Sequence, residues 1–432
     1  MSLQKSSIIT VCGEIPEEIP NGAILNILGG NGQGIYNMGF QPARFIYKLP
    51  KWVIKKYAKN NDVILDPFVG SGTTLIEAMK LRRNAIGMDY NPLSFLISKV
   101  KTTYFTTRVF LESFNFLEDR LRKTNYYNLR PIYKAINFWF SEESQKALSN
   151  VKANIKSITN ESVKDFFWLT FSQVVRKASR CGDGQLLTAR RKNFNNKSEL
   201  TKEEIYNIFL KKAKENFATL SNFHLKNNLN NVGVKIILGD AKALDGINKT
   251  DLIITSPPYI NAIDYVWASK LELHWLDKVK ATDDRLNLYK KEVGTERFED
   301  KEYKTLQTTG YPIIDKKIED IFYGRKYQAS GNQNKLRAKT TSQYFIDMKT
   351  HFKKAYKLLP RGGIYALVMG DNKITKVEIP TADFLSLIAQ SIGFEKLFEF
   401  WIILKNRQLN IPRNVDWAST IKHDKMIILR KS

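Results

Sequence analysis

The segment from Asp62 to Pro92, DVILDPFVGSGTTLIEAMKLRRNAIGMDYNP, constrains the fold of this chain more than any other stretch. VILD is a short run of strand-forming residues, GSG interrupts it, TTLIEAMKL has the apolar spacing of a helix, and NAIGMD is a second strand-like run. A strand, a turn, a helix and another strand in so few residues form a β-turn-α-β unit. The sequence therefore predicts an α/β fold with a mostly parallel sheet.

The charge balance of the chain points to a polyanionic partner. Its 432 residues contain 68 Lys and Arg against 43 Asp and Glu, a formal net charge of +25, and 43% of them are hydrophobic. This apolar content excludes a wholly disordered chain, and the positive surplus favours contact with phosphates. Aromatic residues such as Tyr323 and Tyr327 lie among the basic ones, which favours nucleic acid over a lipid surface because bases stack on rings. The alternative is that the surplus only keeps a large surface soluble.

Other features of the composition narrow the class of protein. Two cysteines, Cys12 and Cys181, exclude a disulfide scaffold and fit a reducing compartment. The first residues carry no secretory signal, and no apolar run approaches the roughly 20 residues of a membrane-spanning helix. The four histidines are scattered, and neither HExxH nor CxxC occurs, so we expect no metal site. We expect a cytoplasmic protein with no membrane partner.

Changes of pattern along the chain predict five regions. Residues 1–100 hold an N-terminal segment and the first part of the core, and residues 101–231 have the helical apolar spacing of an insert. Residues 232–279 return to strands, in VKIILGD and DLIITSPPY. Residues 280–342 are basic and rich in Tyr, Gln and Asn, which indicates a loop-rich excursion. Residues 343–432 restore the α/β pattern and end in FEKLFEFWIIL and DKMIILR, which would pair as a hairpin.

The first candidate site is the turn that follows Asp66. Gly70 and Gly72 allow a tight turn and let a ligand approach the backbone, while a carboxylate at the strand tip can bind ammonium or hydroxyl groups. Asp89 ends the next strand, where an acidic side chain takes ribose hydroxyls in dinucleotide folds. Because neither GxGxxG nor GxxxxGK[ST] occurs, the motif argues against a pyrophosphate ligand. The alternative is an ordinary strand-helix turn without a ligand.

The second candidate site is the segment from Ser256 to Tyr259, at the end of another strand. Pro257 and Pro258 remove two backbone donors and fix two φ angles, so the flanking Ser256 and Tyr259 are rigidly aimed out of the sheet. Carbonyl and hydroxyl oxygens accept bonds from an aromatic amine while the Tyr259 ring stacks on its plane. The alternative is a rigid turn with a packed tyrosine.

Together the two sites resemble the S-adenosylmethionine-dependent amino-methyltransferases of DNA, which methylate N4 of cytosine or N6 of adenine. DPFVGSGTT is similar to the FxGxG cofactor motif of that family and TSPPY to its [DNS]PP[YFW] catalytic motif. QPARFIYKLPKWVIKKY is similar to the segment over the methionine end of the cofactor, GMDYNP to the acidic strand end, and ILGDAKAL to the loop beside the adenine. The resemblance implies a Rossmann-like methyltransferase fold, a mostly parallel seven-stranded sheet with a helical insert and a second, loop-rich insert.

The resemblance also implies roles for individual residues. The catalytic set is Ser256, Pro257, Pro258 and Tyr259. The set that would bind S-adenosyl-L-methionine is Phe45, Asp66, Pro67, Phe68, Gly70, Ser71, Gly72, Thr73, Asp89, Tyr90, Asn91, Asp240 and Ala241. We expect the target sequence to be read by the helical insert of residues 101–231, by residues 280–342 or by both, and the candidates for DNA contact are Arg325, Lys326, Lys335 and Arg337.

The resemblance implies a function in some detail. SPPY is similar to the motif of the N4-cytosine enzymes, so we expect a site-specific methyltransferase that acts on a flipped cytosine in double-stranded DNA, in a prokaryotic restriction-modification context with a cognate endonuclease, and that is nucleoid-associated through DNA binding. C5-cytosine chemistry is disfavoured because no cysteine lies beside the proline pair. The alternatives are N6-adenine methylation of DNA, base methylation of RNA, and a non-catalytic DNA-binding module with a degenerate cofactor site.

Overall fold

The computed structural model describes most of the chain, in ten segments. These are residues 8–30, 32–40, 44–123, 127–182, 188–190, 199–229, 232–260, 263–299, 301–404 and 423–432. Of the predicted cofactor segment that begins QPARF, residues 41–43 lie outside the described ranges.

Strands and helices alternate at both ends of the chain, and helices alone fill a long middle stretch. The strands are β1 (Ile8–Val11), β2 (Ile24–Ile27), β3 (Val63–Asp66), β4 (Asn84–Asp89), β5 (Val234–Leu238), β6 (Leu252–Thr255), β7 (Ile364–Gly370), β8 (Asn372–Ile374), β9 (Val377–Ile379), β10 (Phe394–Ile403) and β11 (His423–Lys431). The helices are α1 (Lys48–Tyr57), α2 (Thr73–Lys80), α3 (Pro92–Thr102), α4 (Thr107–Arg122), α5 (Ile136–Trp139), α6 (Glu142–Lys156), α7 (Glu161–Ala178), α8 (Lys202–Asn227), α9 (Tyr265–Ala268), α10 (Lys270–Trp275), α11 (Thr282–Lys291), α12 (Pro312–Phe322), α13 (Gln333–Leu358) and α14 (Thr381–Ile392).

The main sheet confirms the predicted α/β architecture. Its order is β1-β2-β10-β11-β7-β6-β3-β4-β5, and of these described strands β11 alone runs antiparallel to its neighbours. The expected hairpin pair is β10 and β11, paired from Phe394 opposite Lys431 to Ile403 opposite His423. Alternating α-helices cover both faces, as a parallel sheet requires.

The described sheet has nine strands, a correction to the seven that the resemblance implied. The seven expected strands are all present, and β1 and β2 extend the sheet beside β10, where Ile24 lies opposite Trp401. Each added strand has only four residues. Such a run is too short to show an alternating pattern, so the sequence carried no clear strand signal there.

The helical insert between β4 and β5 contains α4 to α8, and its buried side chains form one core with residues of α2, α3 and α10. Side chains at helix starts cap the free backbone N–H groups: Thr201 and Glu204 form a reciprocal capping box at α8. Aromatic rings contribute to this core, and Phe110 of α4 stacks on Phe217 of α8 with ring centroids 3.9 Å apart. No helix among the described residues has the length and apolar content needed to cross a bilayer.

Residues 280–342 contain more helix than the expected loop-rich excursion implied, although non-helical stretches remain over the described residues of 292–311 and over 323–332. They contain α11, α12 and the first part of α13. Helix α12 buries Ile314, Ile318 and Ile321, which are four and three positions apart and therefore share one face. Charged residues stand between these isoleucines, so the helical period is not evident from the sequence of the whole region. The α12–α13 pair packs into the same core as β7 and α14.

Candidate active site at the carboxyl edge of the sheet

The carboxyl ends of four neighbouring parallel strands meet at one edge of the sheet. The strand order places β3, which ends at Asp66, between β6, which leads into Ser256, and β4, which ends at Asp89. β5 leads into Asp240 on the far side of β4. Ligands of open α/β sheets bind outside these ends. The two motifs found in the sequence therefore lie side by side.

The glycine turn between β3 and α2 has the backbone that its residues predicted. Gly70 has φ 49° and Gly72 has φ 83°, both in the left-handed region that favours glycine. A Cβ on Gly72 would stand 3.2 Å from the Cβ of Ser98 in α3, so the turn also needs glycine for close packing. Behind the turn, the fully buried Lys101 donates to the carbonyl oxygen of Ser71 at 3.0 Å.

Asp66 is buried, and its carboxylate connects the two motifs. Its Oδ1 accepts from the hydroxyl of Thr255 at 2.8 Å, and its Oδ2 accepts from the hydroxyl of Thr74 at 2.5 Å. The backbone N–H of Phe68 donates to Oδ1 at 3.1 Å. Burial raises the pKa of Asp66 to about 6, although these three donors oppose the shift. Asp66 therefore ties the strand before Ser256 to the helix after the glycine turn.

Asp89 is partly exposed at the end of β4 and holds the glycine turn from the side. One carboxylate oxygen accepts from the N–H of Gly70 at 3.0 Å and the other from the N–H of Asn91 at 2.8 Å. Burial raises the pKa of Asp89 to about 6, against the effect of these backbone donors. A carboxylate in this position can accept further bonds from hydroxyl groups at the sheet edge.

The two residues after Asp89 serve different partners. Asn91 caps α3, because its Oδ1 accepts from the N–H of Leu93 at 2.9 Å while its Nδ2 donates to Ser269 Oγ at 3.1 Å. The Tyr90 hydroxyl donates to the buried carboxylate of Glu292 at 2.8 Å. The side chain of Asn91 is thus engaged in hydrogen bonds within the protein, and only its backbone would contact a cofactor.

At the β5 end, Asp240 and Ala241 open a loop that packs against α13. Asp240 Oδ1 accepts from the N–H of Lys242 at 2.8 Å. His351 of α13 donates from Nδ1 to the carbonyl oxygen of Ala241 at 2.7 Å, and its Nε2 accepts from the Tyr365 hydroxyl at 2.8 Å. Burial lowers the pKa of His351 to about 4, so its ring is neutral near pH 7 and can play both parts.

The remaining predicted cofactor residues surround the same turn. The ring of Phe68, which follows β3, lies 5.2 Å from the ring of His351, which contacts Ala241 after β5. Pro67 and Thr73 are buried, and Thr73 Oγ1 lies 3.5 Å from the hydroxyl oxygen of Ser71. Phe45 is half-buried against the cluster that contains α1. The residues that the sequence grouped on β3 and β4 are therefore close neighbours in space.

The double-proline corner is held on both sides of the prolines. Pro257 is buried, while Ser256, Pro258 and Tyr259 are partly exposed. The Tyr259 hydroxyl donates to Asp424 Oδ1 at 2.7 Å. Ser256 and Tyr259 flank the pair of prolines. The hydrogen bond from Tyr259 to a distant carboxylate was not indicated by the sequence.

A small cleft adjoins this corner. It is lined by Pro258, Tyr259, Ile263, Asp264, Glu292, Val293, Gly294 and Glu296. Burial, reinforced by the neighbouring charge of Asp264, raises the pKa of Glu292 to about 8. The segment from Glu292 to Glu296 comes from residues 280–342, so that region forms one wall of the cleft beside the catalytic motif.

The four residues proposed to contact DNA have different partners within the protein. Arg337 Nη1 lies 2.6 Å from Glu296 Oε1, so it holds a wall of the cleft, and Arg325 Nη1 lies 2.8 Å from Asp320 Oδ1. Lys335 Nζ lies 5.8 Å from the centre of the Phe322 ring. Lys326 is exposed. Ion pairing makes Arg337 in particular a structural residue of the cleft in this conformation.

Several residues of the site escaped the sequence reading. Thr74 and Thr255 stand inside the quoted motifs, so their hydroxyls were a signal that went unused. Glu292, His351 and Asp424 carry no motif, and only the fold brings them to the carboxyl edge. Among the residues that the structure describes, no three His, Cys, Asp or Glu side chains cluster as a metal would require.

Comparison with known proteins points to one class of enzyme. A sequence model of a DNA methylase family matches residues 24–99. The chain is 25% identical over 377 residues to the type II methyltransferase M.MvaI of Kocuria varians, covering 81% of this chain and 80% of that protein. It is 26% identical over 422 residues to the type II methyltransferase M.BsoBI of Geobacillus stearothermophilus, covering 87% and 82%.

A solved structure of an S-adenosylmethionine-dependent methyltransferase from Methanosarcina mazei is also similar. The match has a TM-score of 0.32 and 9% identity, and it covers 88% of this chain and 96% of that one. A TM-score this low carries no weight for the architecture, which rests on the strand order itself.

Proposed function

Because this chain belongs to the S-adenosylmethionine-dependent DNA amino-methyltransferases, we propose that it methylates the exocyclic N4 of a cytosine flipped out of duplex DNA. The observation that carries the proposal is the bridge made by Asp66, whose carboxylate joins Thr255, beside Ser256, to Thr74, beside the glycine turn. Within this proposal, the bridge would hold a methyl-donor site and a base site next to each other on adjacent strands.

S-adenosyl-L-methionine is the cofactor of this family, as predicted. The residues at the edge of the sheet fit it: the left-handed Gly70 and Gly72 keep side chains out of the turn, and Asp89 presents a partly exposed carboxylate for hydroxyl donors. Within this proposal, Asp89 binds the ribose, and Asp240 and Phe68 lie against the adenine. Bound there, the cofactor supplies an electrophilic methyl group on a positively charged sulfur.

The double-proline corner would activate the amine. The exocyclic amine of cytosine is a poor nucleophile because its lone pair is delocalised into the ring. Ser256 Oγ and the carbonyl oxygen of Pro257 accept hydrogen bonds from its two N–H groups. These bonds favour a tetrahedral nitrogen with a localised lone pair. Tyr259 stacks on the base and holds it in line with the methyl group. Positioning and electrostatics therefore provide most of the rate enhancement.

Within this proposal, the flipped base would lie beside Pro258 and Tyr259, at the mouth of the small cleft. Arg297 pairs with Asp264 at 2.9 Å and Arg337 with Glu296 at 2.6 Å, and burial raises the pKa of Glu292 to about 8, so this acid is mostly protonated near pH 7. The lining therefore offers hydrogen-bond acceptors, and a donor on Glu292, to the edge of a base. The DNA backbone would then contact the basic surface outside the cleft, including Lys326.

The experiment that tests the proposal is methyl transfer from tritiated S-adenosylmethionine to duplex DNA, followed by mass spectrometry of the nucleosides. We expect N4-methylcytosine from the wild type and a strong loss of product from Ser256→Ala. N6-methyladenine as the product would overturn the choice of base, and methylation of transfer RNA instead of DNA would overturn the choice of substrate. Absence of any transfer would favour a non-catalytic module.

Two further parts of the proposal concern partners. We propose that the protein protects a specific site from a cognate endonuclease, as its type II context supports. DNA binding should weaken steeply between low and physiological salt, because the surplus of 25 positive charges would release counterions from phosphates. If DNA affinity did not change with salt concentration, the positive surplus would serve a role other than phosphate contact.

A further inference from the structure

Tyr259 is held by a residue far away in the sequence. Its hydroxyl lies 2.7 Å from Oδ1 of Asp424, 165 positions further along the chain. Asp424 is only 2% exposed and stands near the start of β11. A carboxylate removed from water in this way needs hydrogen-bond donors, and the phenol supplies one.

The end of β7, next to Asp424, also contacts the segment that contains Tyr259. Asp424 lies opposite Gly370, the last residue of β7. Two residues after Gly370, Asn372 donates from Nδ2 to the carbonyl oxygen of Ile260 at 3.0 Å, directly after Tyr259. The side chain of Asn372 is itself oriented, because its Oδ1 accepts from the Thr381 hydroxyl at 3.0 Å. Two adjacent strand ends thus hold the chain that follows the proline pair.

On the other side of the prolines, Asp66 holds Thr255. The backbone from Thr255 to Ile260 is therefore fixed at both ends, and the proline rings stiffen its middle. The Tyr259 side chain still has two rotatable bonds, and it lines the cleft. A ring that stacks on a base must keep its plane within roughly 10–20°.

We propose that Asp424 is a positioning residue for methyl transfer, which acts through the Tyr259 hydroxyl to set the plane of the ring on which the target base stacks. This inference rests on the proposed function and deepens it. Asp424 does not touch the reacting atoms. Asp424 fixes the orientation of the Tyr259 ring before DNA binds. A base stacked on this ring then presents its amine to Ser256 and Pro257.

The test is a double-mutant cycle with Tyr259→Phe, Asp424→Ala and the double variant, measured by single-turnover methyl transfer at saturating DNA. Phenylalanine keeps a stacking ring and loses only the hydroxyl. We expect the rate of Tyr259→Phe to fall by roughly ten- to hundredfold, as for loss of a charge-assisted hydrogen bond. The affinity for S-adenosylmethionine should stay at the wild-type value. The double variant should be no slower than the slower single variant.

A matched control is Tyr356→Phe, which removes a hydroxyl from α13 near the opposite edge of the sheet, where the Tyr356 carbonyl accepts from Lys431 at 2.7 Å. It should methylate DNA at the wild-type rate. A wild-type rate for Tyr259→Phe overturns the positioning role, as does a double variant whose loss equals the product of the single losses. If Asp424→Ala does not fold, Tyr259→Phe alone decides by the same criterion.

These outcomes are distinct from failure of the proposed function. The cycle compares rates on whichever base the wild type methylates, so a product of N6-methyladenine would replace the choice of cytosine and leave the cycle valid. A wild-type protein that binds S-adenosylmethionine and transfers no methyl group would overturn the proposed function and, with it, the positioning role. A selective loss in Tyr259→Phe supports both.

Discussion

The glycine turn and the double-proline corner are held by contacts of very different range. Around the turn, Asp89 reaches Gly70 across 19 positions, and Asp66 reaches Phe68 and Thr74 across two and eight. The proline corner depends on Asn372, Asp424 and Asp66, at 112, 165 and 189 positions from their partners. The cofactor side of the site is therefore built locally, whereas the catalytic side takes its geometry from the assembled sheet.

Asp66 belongs to both corners, so its removal should give the largest effect. Asp66→Ala leaves the hydroxyls of Thr74 and Thr255 and the N–H of Phe68 without their shared acceptor. We expect the free energy of unfolding to fall by about 3 kcal/mol, and both cofactor affinity and methyl transfer to drop. Chemical denaturation, calorimetry and turnover measure the three quantities. Asp66→Asn, which keeps an acceptor, should be milder; loss of only one of the two functions would contradict the bridge.

Tyr259→Ala should break the catalytic corner alone. Loss of the stacking ring is expected to lower methyl transfer by roughly a hundredfold, since stacking on an aromatic side chain contributes about 1–3 kcal/mol per base and also aligns the amine. Cofactor affinity, measured by calorimetry, should match the wild type. Intact turnover would remove Tyr259 from the mechanism, and a parallel loss of cofactor affinity would show that the two corners are not separable.

Asp89→Ala should break the cofactor corner alone. The variant loses the carboxylate that holds Gly70 and that we propose to accept ribose hydroxyls, so we expect the dissociation constant of S-adenosylmethionine to rise by roughly tenfold. At saturating cofactor, the rate of methyl transfer should stay close to the wild-type value. Titration calorimetry measures the first quantity; an unchanged affinity would show that Asp89 does not bind the ribose.

A smaller effect is expected from pH. Burial raises the pKa of Asp89 to about 6, so the group takes up a proton as the pH falls from neutrality. The protonated form is a poorer acceptor for ribose hydroxyls, so affinity should be full above about pH 7 and fall by up to roughly tenfold by pH 5. Asp89→Asn should abolish this trend. If it persists there, the titrating group is Asp66, whose pKa burial also raises to about 6.

Much of the fold and part of the site followed from local patterns. The run from Asp62 to Pro92 specified β3, the glycine turn, α2 and β4, because each of these elements is formed by residues close in the chain. The seven expected strands all occur. The strands β1 and β2 and the helices of residues 280–342 did not follow, since four-residue strands lack a period and α12 shows its apolar face only once its limits are known.

The partners of the site residues were the least predictable part. Glu292 carries no motif, yet it accepts from Tyr90 at 2.8 Å and lines the cleft. Arg337, considered as a DNA contact from its charge, pairs with Glu296 in the cleft wall. Charge and composition indicate what a side chain can bind, while the identity of its neighbour depends on where distant segments are placed.

By itself, the sequence determined the class of fold, the glycine turn and the stiff backbone of the double-proline segment, because backbone torsions and short-range contacts are properties of neighbouring residues. The tertiary structure alone decided that Asp66 bridges the two motifs, that Asp424 receives the Tyr259 hydroxyl, and that residues 292–296 wall the adjoining cleft. These contacts join strands far apart in the chain, and they exist only once the sheet has brought its carboxyl ends together.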